Sequence, residues 1–173
     1  MYMEIQYHLT EEDYVKFNLF FMKNSETARK ALNMQRFLAP VFFIFVSFLL
    51  AKIADMNFIG LFVIFAVISI LWIWLYPKYF DHFVIRKTRK VLSEADNPGL
   101  LGEHRLLLSE EGITETTAKS ETRAAWSGIQ DIKEDQHSLY LFNSAVSAFI
   151  IPKRATADIQ AVKAFVMAKM HAE

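Results

Sequence analysis

Five histidines, His8, His82, His104, His137 and His171, are the first side chains in this sequence that could bind a metal or move a proton. None is spaced HxH or HxxxH, the intervals that would set two imidazoles on one strand or helix face. Exposed or capping histidines are therefore the expectation, and a metal site would have to be assembled from distant parts. With no Cys, disulfides, thiol chemistry and Cys-based zinc sites are excluded. The acid pairs Glu110-Glu111 and Glu134-Asp135 fall in turn-like stretches, where solvated charge is expected rather than general acid/base work. There is no Gly-rich phosphate loop and no GxSxG elbow. No catalytic residue, metal ligand or cofactor-binding residue is assigned, no cofactor is expected, and the chain is not expected to be an enzyme.

What remains are candidate contact residues. Trp126 has two readings, a buried anchor of a sheet core or an exposed aromatic that docks on lipid or a partner. Lys153 and Arg154, after Ile150-Ile151-Pro152, are either punctuation between an edge strand and a helix or contacts to anionic headgroups. Arg86, Lys87 and Arg89, with Lys90, are topology determinants first and a lipid-binding patch second.

Two back-to-back apolar runs must position these groups. FLAPVFFIFVSFLLAKI (37–53) and FIGLFVIFAVISILWIWLY (58–76) are separated by only Ala54-Asp55-Met56-Asn57. Each can cross roughly 30 Å of hydrocarbon at about 1.5 Å per residue, and neither has a polar face. A transmembrane helical hairpin is expected, with Pro40 in the first turns of the first run and Trp72, Trp74, Tyr76 and Tyr79 in an interfacial belt where the second leaves. Lys23, Arg29, Lys30 and Arg36 precede the first run, and Lys78 and the basic cluster follow the second. The turn carries only Lys52 and Asp55, so both termini are expected in the cytoplasm. The hairpin holds no intramembrane acid, which removes the usual signature of transport or proton relay.

Met3 to Leu9 alternates apolar and polar residues as a strand does, and a lone strand must pair with material after residue 100. Thr10-Glu11-Glu12-Asp13 is a helix start, with a capping hydroxyl three residues before a carboxylate. Asn24-Ser25 reads as a break and a new N-cap before a basic helix that leads into the first run. From Tyr79 to Glu94, Phe80, Phe83, Val84 and Val91 suggest a helix running on below the membrane, ended by Asp96-Asn97-Pro98-Gly99. Short strands follow at 102–108 and 112–117, then at 123–126 continuing through 129–134. A final pair, 138–142 with 148–151, precedes a C-terminal helix from Thr156 or Ala157. The expected domains are 1–36 (strand and juxtamembrane helices), 37–76 (hairpin), 77–97 (juxtamembrane helix) and 98–173 (sheet and helix). The fold class is an α+β membrane protein in which a small antiparallel β-sheet is capped by a C-terminal helix.

Net charge is zero, but residues 1–95 carry 11 Lys+Arg against 8 Asp+Glu and residues 96–173 the reverse bias, 8 against 11. An acidic tail is a poor partner for nucleic acid, and none is expected.

Tyr7-His8-Leu9-Thr10-Glu11-Glu12-Asp13-Tyr14, the two-helix hairpin, Leu108-Ser109-Glu110-Glu111-Gly112-Ile113, Trp126 followed by Ile129, and Phe149-Ile150-Ile151-Pro152-Lys153-Arg154 together resemble the YcxB-like family of bacterial membrane proteins. The resemblance covers most of the chain. It implies a pleckstrin-homology (PH)-like cytoplasmic domain under two transmembrane helices in the bacterial inner membrane, and it implies no activity. Two functions are carried forward. One is a membrane-tethered interaction module whose partners are the lipid bilayer and an unknown protein or peptide. The alternative is self-protection (immunity) against a membrane-active antimicrobial peptide. Small residues in the hairpin (Ala39, Ser47, Ala51, Gly60, Ala66, Ser69) are compatible with helix contacts within one chain or in a homo-oligomer.

Overall fold

The computed structural model describes residues 2–94 and 99–170. His171 and the break at Asp96, Asn97 and Pro98 lie outside the described residues. The chain divides into two compact units, one built from Met1–Phe20 with Thr88–Glu173 and the other from Phe21–Lys87.

The first unit opens with β1 (Met3–Leu9), whose inward residues Ile5, Tyr7 and Leu9 are buried while the alternate ones are not. It pairs antiparallel with β2 (Gly102–Leu108) across its whole length, from Met3 opposite Leu108 to Leu9 opposite Gly102. β2 pairs with β3 (Gly112–Thr117) and β3 with β4 (Glu121–Ala125), giving a four-stranded sheet in the order β1-β2-β3-β4. A second sheet has the order β5-β6-β7, from Asp131–Glu134, Ser138–Phe142 and Ala148–Pro152.

The two sheets correct one expectation. Residues 129–134 do not prolong the strand ending near Trp126. A single 3-10 turn at Trp126–Gly128, closed by Ile129 N–H donating to the Trp126 carbonyl at 2.9 Å, carries the chain out of one sheet and into the other. The Trp126 ring is buried at that corner.

β6 is buried on both faces. Tyr140 and Phe142 on one face meet Phe17 of α1 (Glu11–Asn24) at ring-centroid distances of 5.5 and 6.1 Å, and Phe20 stacks on Tyr140 at 4.7 Å. The aromatic richness of α1 is thus core material of this unit. The C-terminal α4 (Ile159–Met170) buries Val162 and Val166. It starts later than expected because Asp158, whose carboxylate accepts from Ala161 N–H at 2.9 Å, supplies the cap.

The second unit is the helical hairpin. Ser25 caps α2 (Glu26–Ile53), its hydroxyl accepting from Ala28 N–H. Asn57 caps α3 (Phe58–Glu94) by accepting from Gly60 N–H at 3.0 Å. α3 is one helix of 37 residues, so the helix expected to run on past Tyr76 is the continuation of the second apolar run. α2 likewise begins 14 residues before Pro40, which therefore sits inside it rather than in its first turns. The helices run antiparallel: Phe43 packs edge-on to Trp72 at 6.2 Å, and Tyr76 Oη donates to Gln35 at 2.6 Å. Ser47 and Ser69 are buried, and each satisfies its hydroxyl on its own helix.

Pro77 removes the N–H that would have bonded the Ile73 carbonyl one turn earlier. Arg36 Nε donates to that carbonyl at 3.0 Å and fills the vacancy from the other helix. Both helices are long and apolar enough to cross a membrane, and only 11% and 6% of their most apolar windows are buried.

Candidate functional site

The pleat sends alternate residues of the four-stranded sheet to one face, and the register aligns them in rows. Leu108 and Ile113 form one buried row, and Ile5, Leu106 and Glu115 the next. Tyr7, His104 and Thr117 complete the third. The inner face is therefore apolar at one end and polar at the other.

At the polar end the Tyr7 and His104 rings stack, with centroids 5.5 Å apart and planes 15° from parallel. Tyr7 Oη donates to Glu115 Oε1 at 3.0 Å, and His104 Nδ1 lies 3.0 Å from the same oxygen. A carboxylate only accepts, so Nδ1 carries the proton in this pair. Burial, with the Glu115 charge beside it, pushes the Tyr7 hydroxyl far above its ordinary value and keeps it a donor. Both donors use Oε1, and among the described residues none donates to Oε2. His104 Nε2 is buried without a partner.

Glu115 lines a cavity of about 380 Å³. One wall is the end of the β3–β4 hairpin, with Thr117, Ser120 and Thr122. The other is the β6–β7 turn and β7, from Asn143 to Ile150, and Tyr14 and Phe17 of α1 close a third side. Glu115 is the one charged side chain in the lining among the described residues. Asn143 is also a lining residue, and its Oδ1 is buried behind the surface without a hydrogen-bond partner. The site is a concave, anionic, acceptor-rich chamber with aromatic walls, the type of hollow that holds a small polar group.

The residues singled out in the sequence lie elsewhere. Trp126 is 2% exposed, its indole N–H donates to the Ser109 carbonyl at 3.1 Å, and its ring meets Phe165 of α4 edge-on at 6.1 Å. The docking reading has no exposed ring to act through, so Trp126 is the core anchor. Arg154 Nη1 and Nη2 donate to Asp13 at 2.6 and 2.5 Å, and Nη2 also reaches the His8 carbonyl at 3.0 Å. Its guanidinium joins α1 and β1 to the segment after β7, while about half of the side chain stays exposed. Lys153 lies 3.4 Å from Glu134, which also accepts from Lys163 at 2.6 Å.

Asp13 is the third helical residue of a capping box, its Oδ2 accepting from Thr10 N–H at 2.9 Å and Thr10 Oγ1 at 2.6 Å. Burial alone would raise its pKa, but Arg154 and Thr10 together hold it down at about 2. On α3, Arg86, Lys87, Arg89 and Lys90 are all exposed. Arg89 pairs with Glu11 at 3.1 Å, Lys90 with Glu94 at 3.4 Å, and Lys87 lies over the Phe83 ring.

The acid pairs are structural at three of their four members: Glu134 is ion-paired, Glu110 pairs with Lys169, and Asp135 accepts from His137 and Ser138 N–H and from Tyr140 Oη in its turn. His104 is buried, against the expectation of an exposed histidine. Sequence reasoning missed the Tyr7–His104–Glu115 group, although a signal existed. In period-2 strands, positions 104 and 115 alternate in phase with Leu106, Leu108 and Ile113, so both polar residues occupy inward places.

Residues 108–166 match the family described as YcxB-like protein. That span runs from the last residue of β2 into α4, so it contains Glu115, Asn143 and Trp126 and stops short of β1, α1 and the hairpin. The resemblance seen across most of the chain is thus borne by this part of it. No curated protein matches the chain.

Proposed function

We propose, for a chain that carries a YcxB-like domain over residues 108–166, that it is an integral membrane protein whose domain is a tethered interaction module without catalysis. The supporting observation is the contrast in burial. One unit has a close-packed core and a formed cavity, while the other leaves about nine-tenths of its most apolar windows uncovered, as lipid-facing helices do. In this reading α2 and α3 cross the bacterial inner membrane as a hairpin with both termini in the cytoplasm, as the basic residues at Lys23 to Arg36 and Lys78 to Lys90 direct. Sheets of four and three antiparallel strands with a C-terminal helix support a PH-like assignment for the domain. The partner is a protein or peptide, and the bilayer serves as anchor.

Because the chain has no Cys, single-cysteine variants report topology directly. In intact spheroplasts a membrane-impermeant maleimide labels Asp55→Cys, in the turn between the helices. It labels Lys119→Cys, in the β3–β4 turn, only after permeabilisation. Equal labelling of both positions before permeabilisation overturns the hairpin topology. For the module itself, affinity purification of the full chain from native membranes recovers a stoichiometric protein partner. Recovery of none, from membranes in which the chain is folded, counts against that half of the reading.

A further inference from the structure

The cavity beside Glu115 has a chemistry that specifies its occupant more narrowly than a generic interaction site does. Its carboxylate is anchored through Oε1 by Tyr7 and His104, so its position is set and Oε2 is left for a ligand. Among the described residues no Lys or Arg lies within ion-pair distance of Glu115, whereas Glu4, Glu12, Glu110, Glu121 and Glu134 each have such a cation. Thr117, Ser120 and Thr122 add hydroxyl oxygens, and Tyr14, Phe17 and Phe149 add aromatic surface.

An anionic acceptor set with a histidine but, among the described residues, no Lys or Arg beside it calls for a ligand that brings positive charge and several donors. An alkylammonium group has one charge and three N–H donors, and its aliphatic stem suits an aromatic wall. Among the described residues the lining contains no basic side chain that could receive a phosphate. A zwitterionic phospholipid headgroup would therefore leave its phosphate unmatched, whereas a lysine side chain carries none.

We infer that this cavity is a recognition pocket for a lysine side chain of a peptide partner, with Glu115 as the charge-reading residue. The inference rests on the interaction-module reading and names the partner chemistry of that module.

The test uses the 15N-labelled full chain in phosphatidylcholine/phosphatidylglycerol nanodiscs, titrated with the capped tripeptide Ac-Ala-Lys-Ala-NH2 and with its norleucine analogue. The lysine peptide shifts the amide signals of Thr117, Thr122 and Asn143 in a saturable manner, and the norleucine peptide does not. Glu115→Gln keeps an oxygen for Tyr7 and His104 but removes the charge, and it weakens binding by about tenfold or more. Val146→Trp provides an independent check that leaves the carboxylate intact. Val146 is exposed in the cavity's lining, and the indole obstructs entry and abolishes the shifts.

Equal binding of the two peptides, unchanged affinity in Glu115→Gln, or shifts that map outside the cavity would each overturn the inference. So would the same shifts arising from phosphatidylethanolamine added to the discs in place of peptide. The titration can succeed when no partner is recovered from native membranes, and can fail when one is, so the two readings fall separately.

Discussion

At the scale of single residues, one carboxylate does two jobs. Asp13 completes the cap of α1 and receives the bidentate guanidinium of Arg154, 141 residues away. Asp13 is 2% exposed, so removing Arg154 leaves a buried acid with a lost partner. Arg154→Gln is expected to cost about 2–3 kcal/mol, below the range for a wholly buried pair because Arg154 is half exposed. The folded-state pKa of Asp13 is depressed to about 2 from 3.8. Its stabilisation is therefore complete above the unfolded value and is lost as pH falls through the folded one. Denaturant titrations should show wild type well above Asp13→Asn at pH 5, with the gap closing between about pH 4 and pH 2. A gap that stays constant over that window would show that the carboxylate charge is not what holds the contact.

At the scale of elements, the four-stranded sheet depends on one backbone position. Gly112 begins β3 with φ at +150°, and a Cβ there would lie 2.2 Å from the Ala124 carbonyl oxygen of β4. That neighbour is main chain held in the ladder, so it cannot rotate away. Gly112→Ala should destabilise the first unit by about 2–4 kcal/mol, read as a fall in thermal midpoint, while Gly128→Ala, with open space at its Cβ, should change it little. A neutral Gly112→Ala would mean that β4 is not paired there as described. The loss also bears on the pocket, since Glu115 lies opposite Thr122 in the same ladder.

At the scale of the whole molecule, the domain is discontinuous in sequence. β1 covers the edge of β2, and α1 covers Tyr140, yet both precede the hairpin. A fragment beginning at residue 98 would expose the β2 edge, lose Ile5, Tyr7 and Leu9 from the core, and leave Arg154 without Asp13. It should give a collapsed amide spectrum or aggregate. A chain in which residues 21–87 are replaced by a flexible linker of about 15 residues should instead give a dispersed, folded spectrum in the absence of detergent. If the fragment alone folds as well as the linked chain, β1 is dispensable and the discontinuous domain is wrong.

What the sequence determined by itself is whatever local period and local chemistry encode. The two apolar runs, the Ser25 break, the Thr10–Asp13 box and the alternation of Met3 to Leu9 each declare an element from a few neighbouring residues. So do the β2, β3, β6 and β7 strands and the C-terminal helix, to within a few residues. Only the tertiary structure decided which elements meet. A turn at Trp126–Gly128 and a continued strand have similar local signatures, so the crossing between sheets was invisible. The pairing of Arg154 with Asp13 was not legible beside its two readings, punctuation or headgroup contact, because the partner lies 141 residues away. Glu115, His104 and Tyr7 became one site because sheet register, a non-local property, brought three ordinary strand residues to one end of the inner face. Local sequence carries the free energy that selects elements; part of the pairing energy that selects neighbours lies in contacts such as Tyr7–Glu115 and Asp13–Arg154, more than a hundred residues apart, where no short pattern can record it.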